Sequence, residues 1–155
     1  MGAALKLDTR LLMARRPAGD WPKSESSGRP GNGRHRTTTI LVVDDEVLIR
    51  MPVADYLREK GFRVIEASNA AEAQAVFEAQ EPIEVVFSDV NMPGDLNGLG
   101  LARWVRAHHP DVKIILASGV TTAAALLPGD VDAPMLGKPY SYDQLAQQIK
   151  RLIET

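Results

Sequence analysis

Two adjacent carboxylates, Asp44 and Asp45, directly follow the apolar run Ile40-Leu41-Val42-Val43, and a third, Asp89, closes the run Glu84-Val85-Val86-Phe87-Ser88. Acids that end buried strands gather where the strands stop, and unit charges about 4 Å apart repel by several kcal/mol near a protein surface. Three acids brought together therefore require a cation. Mg²⁺ fits, because it prefers oxygen ligands, keeps several waters, and binds through one or two carboxylates plus a phosphate. Two other side chains occupy equivalent places. Ser118 follows Ile114-Ile115-Leu116-Ala117, and Lys138 follows Pro134 to Gly137 and precedes Pro139. A hydroxyl and an ammonium facing three acids form a receptor for a group with negative charge on several oxygens, which is a phosphoryl group. Taken singly, each residue reads as a solvated loop acid, an ordinary cap or a surface lysine; their shared position at strand ends makes them a site.

That position depends on the elements. Ile40–Val43 reads as a buried parallel strand. The next segment carries Val47, Leu48, Met51, Ala54, Tyr56 and Leu57 at helical spacing and stops at Lys60-Gly61, where glycine supplies a C-terminal cap. Pro52 lies inside this segment and predicts a helix that starts late or bends in its first turns. Phe62–Ala67 reads as a strand, followed by a helix opened by Asn69 and Glu72 at capping-box spacing. Glu84–Asp89 is the third strand, and its loop carries the turn formers Pro93-Gly94 and Asn97-Gly98. A helix from about Leu99 to His108, a strand at Val112–Ala117, a short Ala-rich helix near Thr121–Leu127, a strand at Pro134–Gly137 and a last helix opened by Ser141 and Gln144 complete the pattern. Five such β-then-α units predict an α/β fold, a five-stranded parallel sheet with helices on both faces. Ligands of such sheets bind beyond the carboxyl ends of the strands, where the strand order reverses.

The chain has 155 residues, and its composition suits one domain with some length outside it. It has no cysteine, which excludes disulfides, thiolate metal sites and a cysteine nucleophile. No apolar run approaches the roughly 20 residues of a membrane helix, and Lys6, Asp8 and Arg10 interrupt any secretory signal; no membrane contact is expected, and a cytoplasmic location is the default. Residues 1–39 hold eight Lys or Arg against three Asp or Glu, whereas the remainder carries a surplus of acids. Pro17–Thr39 is rich in Gly, Pro and Ser and nearly devoid of large apolar groups. Residues 1–38 are therefore expected to be a disordered basic arm, read as a solvated tail with no nucleic-acid role, and residues 39–155 the folded domain.

The segments ILVVDDE at 40–46, FSDVNMPG at 87–94, ASG at 117–119 and GKPY at 137–140 resemble the signature segments of response-regulator receiver domains, in the same order and over about residues 39–155. The resemblance implies the flavodoxin-like strand order 2-1-3-4-5. It implies Asp89 as phosphoacceptor for a histidine kinase or phosphotransfer protein. Asp45 and Asp89 would hold Mg²⁺ directly, with the backbone carbonyl of Asn91 as a third ligand and Asp44 acting through water. Lys138 would pair with phosphoryl oxygens, and Ser118 would swing in to bond one of them after transfer.

The pattern also departs from the resemblance. Met135 stands where many receivers carry an aromatic residue, the acidic loop has an extra residue in Asp95-Leu96-Asn97-Gly98, and the segment after Ser118 is short and apolar. A stunted or mobile helix is expected there. Val120 and Asn91 flank the expected route of attacking water and would set the phosphoryl lifetime. His108 and His109 are read as helix C-terminal residues stabilised by the helix dipole. The expected function is a stand-alone phosphoacceptor that signals by protein contact to an unidentified output protein, through a face exposing Tyr140, Tyr142 and Gln144 and open to homodimerisation, and that is not a turnover enzyme. The rivals are a Mg²⁺-dependent phosphohydrolase, and a phosphorylation-independent adaptor or receiver fragment of a hybrid kinase.

Overall fold

The computed structural model describes residues 36–119 and 133–154. Residues 1–35 of the expected arm, the expected helix near 121–127 and Val120 lie outside the described residues. The five apolar runs form strands β1 (Thr39–Val43), β2 (Arg63–Ala67), β3 (Val85–Asp89), β4 (Lys113–Ser118) and β5 (Met135–Gly137). They lie in the order β2-β1-β3-β4-β5, every neighbouring pair parallel. The order in which the chain adds strands to the sheet reverses between β1 and β3, so the carboxyl ends of these two strands border the crevice such folds use for ligands.

All residues of β1 and β3 are buried, as a sheet covered on both faces requires. Alternate side chains point to opposite faces. Ile40, Val42, Val85, Phe87, Ile115 and Ala117 pack with Val53, Ala54 and Leu57 of helix α1 (Val47–Glu59) and with Leu145 and Ile149 of helix α4 (Tyr142–Glu154). Leu41, Val43, Val86, Ile114 and Leu116, at alternate positions, are fully buried and face the other way. Helices α2 (Ala70–Glu78) and α3 (Gly98–His108) bury Ala73, Val76, Leu101 and Val105, and Phe77 of one meets Trp104 of the other at 5.7 Å. Burial of each large side chain in these layers contributes about 1.5–3 kcal/mol.

The helix termini follow local chemistry. The Asn69 side chain accepts from Glu72 N at 2.8 Å, while Glu72 reaches back to Ser68 N rather than to the cap itself. Ser141 and Gln144 bond each other reciprocally, at 3.0 and 3.1 Å. Gly61 takes φ +95°, and Phe62 N closes on Leu57 O to end α1. Of the late start or bend expected from Pro52, the late start does not occur, since α1 runs from Val47. The carbonyl that loses its i+4 donor to the proline belongs to Leu48, an 85 % exposed residue, where a lost bond costs less than in the core. His108 ends α3 with Nδ1 at 2.9 Å from Trp104 O and its ring stacked on the indole. Among the described residues, no helix is long and apolar enough to cross a membrane.

Candidate functional site

The site is built at the carboxyl ends of β1, β3 and β5. Asp44 leaves β1 with its amide bonded to Ala67 O at 3.1 Å, and Asp89 is the last residue of β3, paired in register with Ala117. Carboxylate oxygens of Asp44, Asp45 and Asp89 all lie within 4.8 Å of one another. Asp44 and Asp89 are 6 % and 4 % exposed, while Asp45 faces solvent. Burial pushes the Asp44 carboxyl above the usual range; the Glu46 amide that bonds Asp44 Oδ1 at 2.9 Å pulls it down, and the neighbouring charge of Asp89 pushes it up again. Lys138 Nζ sits 2.9 Å from Asp89 Oδ2, while the other carboxylate oxygen accepts from Asn91 N at 3.1 Å.

Among the described residues, a single ammonium therefore faces three acids, two of them buried. The donor set consists of oxygens alone and carries excess negative charge, which suits a hard divalent cation such as Mg²⁺ and not a nitrogen- or sulfur-preferring metal.

Of the residues expected to meet, Asp44, Asp45, Asp89 and Lys138 come together. Ser118 lies beside Lys138, its carbonyl accepting from Lys138 N at 2.9 Å, but its buried hydroxyl donates to Gly119 O at 2.9 Å. Asn91 is exposed and joins the site through its backbone amide. The Lys138–Pro139 peptide is cis. Tyr140 corrects the expectation of an exposed output residue: it is half-buried, packed edge-on to Phe87 at 5.6 Å, and burial with the nearby Asp44 charge pushes its phenol up to about 12. Tyr142 is 39 % exposed and rests against Tyr56 at 5.3 Å, where Tyr56 also bonds Asp143.

Three contributors escaped the sequence reading. Gly98 was visible only as a turn former, yet a Cβ there would fall 2.0 Å from Asp89 O, and Gly98 N bonds Val90 O at 3.0 Å. Arg50 donates Nη1 to Asp44 O at 2.7 Å and Nε to Glu66 Oε1 at 3.3 Å. The available signal was an acidic Glu66 near the end of β2, with an arginine one turn into the preceding helix pattern.

A parallel 2-1-3-4-5 sheet with an acidic crevice and a lysine beyond its last strand defines a signalling receiver. The profile of the response regulator receiver domain matches residues 40–150, and the chain belongs to that family. Among its relatives, sensor kinase CckA of Brucella abortus is 33 % identical over 99 % of this chain, and response regulator receiver protein CpdR of the same organism is 30 % identical over 74 %. The chain spans 17 % of the kinase and about a quarter of several further regulators it matches, against 95 % of CpdR. The crystal structure of response regulator TrrA from Thermotoga maritima, in complex with Mg²⁺-BeF, superposes with a TM-score of 0.67 at 32 % identity, covering 75 % of this chain and 99 % of that one.

Proposed function

We propose that this chain is a stand-alone phosphoacceptor receiver that takes a phosphoryl group on Asp89 from a histidine kinase or phosphotransfer protein, with Mg²⁺, in the cytoplasm. The observation that carries the reading is the Asp89 carboxylate held 2.9 Å from Lys138 Nζ inside a cluster of acids. Asp45, Asp89 and the backbone carbonyl of Asn91 would hold Mg²⁺, with Asp44 acting through water; the ion supplies positive charge to the transferring phosphoryl oxygens. A carboxylate oxygen of Asp89 attacks phosphorus in line. The new O–P bond forms as the donor histidine's N–P bond breaks, the electron pair staying on that nitrogen, which then takes up a proton. Lys138 leaves Asp89 Oδ2 and pairs with a phosphoryl oxygen. Ser118 turns from the Gly119 carbonyl to donate to another, and this exchange of partners reorders the adjoining loop and exposes a changed face to an output protein or a second copy of the chain.

The CckA match reaches residues outside the receiver segment, and it favours a second reading, in which this is a receiver of hybrid-kinase type that passes phosphoryl groups between domains. Intact mass after incubation with acetyl phosphate tests the common core of both. Wild type with Mg²⁺ gains one phosphoryl group; no gain, or equal gain by Asp89→Ala, rejects it. Steady release of phosphate from simple esters over many turnovers would favour a phosphohydrolase instead.

A further inference from the structure

Asp45 is the one exposed acid of the cluster, and no hydrogen bond from the described residues anchors its carboxylate. Its direction therefore depends on the peptide plane that joins it to Asp44. That plane is gripped. Its oxygen, Asp44 O, accepts from Arg50 Nη1 at 2.7 Å, the length of a charge-assisted bond, while the Asp44 amide, which belongs to the preceding peptide, donates to Ala67 O at 3.1 Å and fixes the chain just before it. The arginine is itself fixed. Its Nε meets Glu66 Oε1 at 3.3 Å, with side chains only 15 % and 24 % exposed. Glu66 takes a second guanidinium from Arg58 Nη2 at 3.1 Å, and Arg58 also reaches Val64 O and Asp55 at 3.2 Å. Two arginines of α1 thus converge on one carboxylate of β2, and the nearer one is bolted to the first acid of the site.

We propose that Arg50 is a positioning residue for the divalent-cation site, setting the Asp44–Asp45 peptide plane so that Asp45 meets the ion in the correct direction, and that Glu66 orients Arg50 while cancelling its charge beside the cation. The inference rests on the Mg²⁺ reading above. A guanidinium is a rigid fork that spans a carbonyl and a carboxylate together, which a lysine ammonium on a flexible stem does not reproduce. Two opposed effects meet here. The positive charge of Arg50 alone would repel a cation, and the geometry it imposes favours one. With Glu66 in contact the far field of the pair is that of a dipole, so geometry dominates.

Mg²⁺ demands near-ideal octahedral geometry and Ca²⁺ tolerates irregular sites. A positioning role is therefore felt by Mg²⁺ above Ca²⁺, whereas a merely structural role moves both alike. Calorimetric titration of the full chain with each ion tests this. Arg50→Ala and Arg50→Lys are each expected to weaken Mg²⁺ binding about tenfold, the scale of lost support behind a metal ligand, with a clearly smaller loss for Ca²⁺. Glu66→Gln, which empties no volume, is expected to show the same Mg²⁺-selective loss and serves if the arginine variants do not fold. Equal losses for the two ions, unchanged Mg²⁺ affinity, or tighter Mg²⁺ binding in folded variants overturns the proposal. Wild type that binds neither ion overturns the Mg²⁺ reading itself, a result distinct from the others.

Discussion

The backbone of Gly98 lies directly on the carbonyl of Asp89: a methyl group added at Gly98 would come within 2.0 Å of Asp89 O and 2.8 Å of Val90 Cα. Those atoms are backbone, so they cannot swing aside, and the chain at the end of β3 must move to admit any side chain. Gly98→Ala is therefore expected to lower stability by about 1–3 kcal/mol, the scale of overpacking a tight site. It is also expected to slow phosphoryl acceptance from acetyl phosphate severalfold under conditions where the protein stays folded. Denaturant unfolding and intact mass against time measure the two effects, and an unchanged acceptance rate would show that Asp89 tolerates the displacement.

In the proposed site Lys138 would compete with a metal ion for Asp89. Removing it in Lys138→Met leaves the acids uncompensated, so the metal-free domain should lose stability. The loss should fall below the roughly 3–5 kcal/mol of a fully buried pair, because the lysine side chain is 31 % exposed. Mg²⁺ affinity should rise while phosphoryl acceptance falls, since the ammonium that would meet the phosphoryl oxygens is gone. Parallel calorimetry and mass measurements check this split; a loss of both together would assign Lys138 a purely architectural role.

Burial raises the Asp44 carboxyl in the folded chain above its ordinary value of 3.8. The folded state thus holds this proton more tightly than the unfolded one. The resulting stability is fully present below the unfolded value and is lost as pH rises through the folded one. Without metal, Asp44→Asn should raise the melting temperature at neutral pH and flatten its acid-side dependence. Thermal melts in chelator from pH 3 to 8, starting below the ordinary value of 3.8, provide the comparison. A variant that melts lower than wild type at neutral pH contradicts this account of Asp44.

The phenol of Tyr140 ionises only at about 12. Between the ordinary tyrosine value of 10.0 and that point the unfolded chain sheds this proton and the folded one keeps it, so stability falls as pH rises through the window. Tyr140→Phe, which keeps the edge contact with Phe87, should delete the most alkaline phase of the phenolate absorbance titration and weaken the alkaline loss of stability. Tyr140→Ala should cost about 2–4 kcal/mol by emptying a half-buried aromatic site. An absorbance titration unaltered by Tyr140→Phe would mean that another tyrosine is the buried one.

The strands were legible because each announces itself by contiguous apolar residues, and the meeting of Asp44, Asp45, Asp89 and Lys138 because parallel strand ends converge; the strand order came only from the resemblance of the four signature segments. The caps at Asn69 and Ser141 were legible for a related reason, since capping joins residues three apart. The grip of Arg50 on Asp44 O and Glu66 depends on where α1 crosses β2, a tertiary fact that no spacing encodes. Tyr140 was misread because its neighbour Lys138 marks a strand end, where exposure is the ordinary expectation; its burial arises from Phe87, more than fifty positions earlier. Pro52 illustrates the limit of local rules, because its cost depends on whether the freed carbonyl meets water.

The central claim is that Asp89 carries the phosphoryl group. Borohydride reduction of the acetyl phosphate-treated, Mg²⁺-loaded protein converts an aspartyl phosphate to homoserine, which peptide mass mapping then locates. The account predicts homoserine in place of Asp89 and aspartate retained at 44 and 45. Homoserine at either of those two positions, or none in protein that has gained a phosphoryl group, would contradict it.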